Sequence, residues 1–104
     1  MSESLLEAEL AALRAEYRDD LKPRIAALEA LRADLASGAA PAARIRELHR
    51  GLHSIAGSAK TFGLPTVSDA AREAERLLEP HCDAGAPPPD WERLRRLLEA
   101  LGRP

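Results

Sequence analysis

From Leu6 the apolar side chains recur at Leu10, Leu13, Tyr17, Leu21, Ile25, Leu28, Leu31 and Leu35. Steps of three and four sustained over that length put one apolar stripe along a helix, and nothing in the chain alternates with the period of a strand. Pro23 falls inside the stripe, where a proline removes a backbone donor and clashes with the carbonyl four residues back. The pattern therefore predicts a break near residues 19–22 with Asp20 as a cap, giving a short first helix over about 4–18 and a second over about 20–36. Ser37, Gly38 and Pro41 punctuate the chain next. Pro41 suits the first turn of a third helix that runs until Gly63 and Pro65 stop it. Thr66 is the expected cap of a fourth helix, with Asp69 three residues on as a weak capping box, and Pro80 is its expected end. Residues 81–89 hold Gly85 and three consecutive prolines and read as a loop. Asp90 then caps a last helix with the stripe Trp91, Leu94, Leu98 and Leu101. The expected architecture is all-α, an up-down four-helix bundle with an additional short N-terminal helix, in one domain over 1–104.

A chain of 104 residues buries roughly two-thirds of its unfolded surface, enough for one modest core. Only Tyr17, Phe62 and Trp91 are aromatic, so that core is built from Leu, Ile and Ala, with Phe62 expected inside it. Fifteen basic and seventeen acidic residues are interspersed, without the run of one sign that nucleic acid or an anionic membrane would require. Cys82 is the only cysteine and excludes an intrachain disulfide. No apolar run approaches the roughly 20 residues of a membrane span. These features predict a cytoplasmic monomer with neither nucleic acid nor membrane among its partners.

The segment from Leu48 to Gly63 carries the chemistry. On a wheel of about 100° per residue with His53 at zero, Ile45, Leu48, Leu52, Ile55, Ala59 and Phe62 fill an arc centred roughly 130° away, so His53 points off the core. Gly57 lies about 40° from it and one turn on, with Ala56 on the other side. A mid-helix glycine costs about 1 kcal/mol against alanine, and on an exposed face it marks a place where something approaches closely. Lys60 lies about 20° off and two turns on; His49 lies about 40° off and one turn back. A neutral imidazole nitrogen is a competent nucleophile toward phosphorus, and Lys60 is placed to offset part of the charge on a transferred phosphoryl group. The chain has no G-x-x-x-x-G-K-[ST] motif and no kinase-type glycine loop, so Mg²⁺ and any nucleotide are expected from a partner, with no cofactor of its own.

His53-Ser54-Ile55, Gly57, Ala59 and Thr61-Phe62-Gly63-Leu64 resemble the signature of histidine-containing phosphotransfer domains, both free-standing and as the phosphorylation domain of chemotaxis histidine kinases. The resemblance implies a phosphocarrier, not an enzyme, with His53 phosphorylated, Gly57 as the active-site glycine, and docking on a response-regulator receiver domain or a histidine kinase. It departs at Ala56, where the family usually carries a lysine. In the chemotaxis kinases a glutamate 22 residues after the histidine bonds and tunes the imidazole, and Glu75 stands at that offset, on the flank of its own helical stripe. The alternatives are a detached kinase substrate domain phosphorylated from ATP by a separate catalytic domain, a non-catalytic adaptor, and a metal site on His49 and His53. Against the metal site, Glu47 points elsewhere and His81 and Cys82 lie in a loop. His49 otherwise reads as a bystander, and Gly51 as a mark of close helix packing.

Overall fold

The computed structural model describes residues 2–103, folded into four α-helices with no strand among them: α1 (Ser2–Ala36), α2 (Ala42–Thr61), α3 (Pro65–Leu78) and α4 (Trp91–Leu101). A single 3-10 turn, Glu79–His81, follows α3. No helix of the described residues is long and apolar enough to cross a membrane.

The expected break at residues 19–22 does not occur; α1 is continuous through Pro23, and the separate short N-terminal helix is corrected to the first half of α1. Pro23 is exposed, so the Asp19 carbonyl that loses its partner faces solvent. A proline inside a helix costs about 3 kcal/mol. Tyr17 and Leu21 before it and Leu31 and Leu35 after it are all buried, each worth roughly 1.5–3 kcal/mol, and together they hold the helix on one axis. At about 1.5 Å per residue α1 is roughly 52 Å long and accounts for most of the 58 Å long axis of the molecule. The other helices do not reach its beginning, and Leu6, Leu10 and Leu13 of the predicted stripe are 41–55% exposed, as is Leu5 beside them.

The core is built where the four helices overlap, from Leu35, Leu48, Leu52, Ile55, Leu78, Leu94 and Leu98. Gly51 marks the close approach of α2 to α1, since a Cβ there would stand 2.6 Å from Leu28 Cδ2. Arg32 ties α1 to α4: its guanidinium is gripped by Glu29, which raises its pKa against the opposing effect of burial, and it also donates to the Trp91 carbonyl at 3.5 Å.

The helix ends differ in detail from the expected caps. Pro41 is the residue before α2 and not in its first turn. α3 starts at Pro65 after Leu64, without a side-chain cap, so Thr66 lies inside the helix; a proline at the first position needs no donor and replaces the cap. Asp90 does cap α4, accepting from the Arg93 amide at 3.0 Å. α2 ends where Gly63 takes φ 73°, which lets the Gly63 amide reach the Lys60 carbonyl and the Leu64 amide the Ala59 carbonyl. That pairing is a Schellman closure, and it turns the chain straight into α3.

Candidate functional site

α2 is the central element, with its buried face formed by Ile45, Leu48, Leu52, Ile55, Ala56 and Ala59. His53 stands at the border of that face, its side chain 72% exposed. The short connection through Gly63 and Leu64 lays α3 antiparallel along one flank of α2, and this covers more of the wheel than the apolar arc alone predicts. Two expectations change as a result. Ala56 is 1% exposed and does not share the open face of His53; its carbonyl accepts from Ser68 Oγ on α3 at 2.8 Å. His49 is turned into the same flank, 24% exposed, and is no bystander on an open surface. Phe62 departs in the other direction. It is 37% exposed at the end of α2 and stacks on Tyr17 of α1 with ring centroids 4.4 Å apart.

α3 brings Glu75 to the histidine. Glu75 is buried at 7%, and its Oε2 lies 2.5 Å from His53 Nδ1. An ionised carboxylate only accepts, so the ring donates Nδ1–H to it, and the lone pair is left on Nε2. The bond comes from the inner edge of the ring, where α3 lies, and the remainder of the imidazole is open to solvent. Glu75 thus holds the ring by Nδ1 and leaves Nε2 without a protein partner, on a side chain that is 72% exposed.

The surface beside His53 is open. A Cβ built at Gly57 would meet nothing within 4 Å, so the glycine is not required by packing inside this chain. Lys60 is exposed and makes no ion pair among the described residues. At about 1.5 Å per residue it starts roughly 10 Å along the axis from His53. A second cation was not legible in the sequence: Arg24 of α1 donates to Ser54 Oγ at 3.1 Å, on the residue next to His53. Its connection crosses between helices, and only the packing of α1 on α2 reveals it. Tyr17 similarly bonds Ser58 across the same seam.

The metal alternative is also redrawn. His53 Nδ1 is engaged with Glu75, while the carboxylates that converge on His49 are Glu75 and Glu79. His81 bonds the Pro87 carbonyl through Nδ1 at 2.7 Å, and Cys82 Sγ lies 3.3 Å from the Leu78 carbonyl, with burial pushing the thiol up from its ordinary pKa.

A helical bundle that presents a carboxylate-bonded, solvent-facing histidine beside a glycine is the arrangement of a phosphoacceptor domain. The family model described as Hpt domain matches residues 5–103, essentially the whole chain, and the protein belongs to that family of histidine phosphotransfer domains. Neither the curated proteins nor the solved structures gave a match. Members of the family are carriers in two-component phosphorelays, exchanging phosphoryl groups with receiver domains and kinases, and are not themselves catalysts.

Proposed function

We propose that His53 is the phosphorylated residue and that the phosphoryl group is carried on Nε2. The observation that carries this reading is the 2.5 Å contact of His53 Nδ1 with buried Glu75 on a ring that is otherwise 72% exposed. In the forward step the Nε2 lone pair attacks the phosphorus of an aspartyl phosphate on a receiver domain. The P–O bond breaks and the aspartate carboxylate leaves with its electron pair. The Nδ1 proton stays on the ring, held by Glu75, and stabilises the imidazolium character that develops. The return step is the same sequence reversed.

Gly57 leaves clearance for the receiver domain, which supplies Mg²⁺ and the in-line geometry. Charge on the three equatorial oxygens is offset by that ion and by Lys60, whose reach from two turns away suits a water-bridged contact. The buried position of Ala56 leaves no room beside the histidine for the lysine usual in the family, so cations from Lys60 and Arg24 act in its place. The protein acts as a monomer, without a nucleotide site of its own. Glu75 also favours a second reading, since chemotaxis kinases, which the chain resembles, carry a glutamate at this offset: phosphorylation of His53 from ATP by a separate kinase catalytic domain.

The test is incubation with phosphorylated receiver domains from the same cell. Acid-labile, base-stable phosphate on this chain is the expected product; its appearance only with a kinase and ATP would select the second reading, and no phosphate from either donor would reject both.

A further inference from the structure

His49 Nε2 is fully buried and has no hydrogen-bond partner. It lies 3.8 Å from Glu75 Oε2 and 3.8 Å from Glu79 Oε1, beyond hydrogen-bonding range for both. A buried ring nitrogen left unmatched is costly, and two carboxylates aimed at it without touching leave space for a shared ligand. The three donor atoms lie within 4.8 Å of one another. Glu75 and Glu79 are spaced i, i+4 across the passage from α3 into the 3-10 turn, which puts them on one face, and His49 meets them from α2.

We infer that His49 Nε2, Glu75 and Glu79 form a binding site for a divalent transition cation of the zinc class. One imidazole and two carboxylates are ligands such ions accept, at about 2.0–2.2 Å, which places neighbouring donors of a tetrahedral ion about 3.4 Å apart. The observed 3.8 Å separations close to that value with small side-chain movements. The nitrogen ligand selects against Mg²⁺ and Ca²⁺, which take oxygen. Glu79, 59% exposed, gives the ion its route in, and the remaining coordination position belongs to water.

The site shares Glu75 Oε2 with His53, so an ion bound there draws the carboxylate off Nδ1. Zinc then slows phosphate uptake by releasing the imidazole from its fixed tautomer. This consequence rests on the reading of His53 given above, whereas binding of the ion does not.

The experiment is titration of the whole chain with Zn²⁺ by calorimetry, repeated with Co²⁺ by visible absorption, with imidazole nitrogens followed by NMR. One ion binds per chain and shifts His49 Nε2. Loss of an outer-shell partner alone weakens metal sites about 10–100-fold, so Glu79→Gln and His49→Gln each weaken binding by at least about tenfold. Glu79→Gln is an exposed change that keeps the fold, so its result is decisive where His49→Gln perturbs packing. No binding by the unaltered chain, or binding that survives both changes and disappears with His53→Gln, overturns the site. Binding at His49 without any effect on phosphate uptake would retain the site and remove its link to His53.

Discussion

The turn of α2 around His53 and the turn around His49 are neighbours, and both imidazoles approach the same oxygen of Glu75. The first ring is 72% exposed and bonds that oxygen at 2.5 Å; the second is 24% exposed and stops at 3.8 Å. Sequence separates them by four residues and the wheel by only about 40°. The flank of α3 makes the difference: it covers His49 and Ala56 and ends its cover at the inner edge of His53. Which imidazole stays open therefore depends on the side of α2 along which α3 lies, since Ser68, Glu75 and Glu79 line the flank that holds Ala56 and His49. The same carboxylate has two jobs, orienting an open ring and facing a closed one.

Exchange of the two histidines for glutamine breaks the comparison most severely. His53→Gln abolishes phosphate labelling and leaves helicity unchanged by circular dichroism, while His49→Gln still takes up phosphate on His53. Labelling that survives the first change and disappears with the second reverses the assignment. Next in size is Gly57→Arg, which fills the clearing beside His53 and leaves the His49 turn untouched. Displacing reacting groups by about 1 Å costs ~100-fold in rate, and transfer between this variant and a receiver domain falls by about that factor. The melting temperature is kept or raised, since the helix gains up to about 1 kcal/mol and a Cβ meets no neighbour. Unaltered transfer would show that the clearing has no part in docking.

Glu75→Gln acts on both turns at once. It keeps an acceptor for His53 Nδ1 but removes the negative charge that favours the imidazolium, and single-turnover phosphate uptake slows several-fold. The smallest effect distinguishes the covered flank from the open face. Ala56→Lys overpacks a site that is 1% exposed and lowers stability in urea by about 1–3 kcal/mol. A lysine accepted there without loss of stability would mean that α3 leaves a channel for its stem.

Much of this was legible in the sequence. The helical period gave the all-α fold, Gly63 and Asp90 acted as expected at helix ends, and the wheel placed His53 outward with Gly57 beside it. Periodicity reports which residues are apolar and not how far a neighbouring helix extends, which is why the Leu6–Leu13 part of the stripe reads as core although it outruns the bundle. Pro23 reads as a break for a related reason: its cost is local and certain, whereas the burial of Tyr17, Leu21, Leu31 and Leu35 that outweighs it is tertiary. Ala56 and His49 lie within about 60° of His53 on the wheel, and only the packing of α3 decides that they are covered. Glu75 stood out through its offset from His53, but the convergence of Glu79 on His49 and of Arg24 on Ser54 had no local signal.

The central claim is that Glu75 holds Nδ1 and leaves Nε2 of His53 as the phosphoryl acceptor. Heteronuclear NMR of the imidazole-¹⁵N-labelled chain after phosphorylation tests it directly, by coupling of phosphorus to a single ring nitrogen. The account predicts coupling to His53 Nε2, with Nδ1 still protonated and its proton shifted by the Glu75 bond. Coupling to His53 Nδ1, or to any nitrogen of His49 or His81, would contradict it.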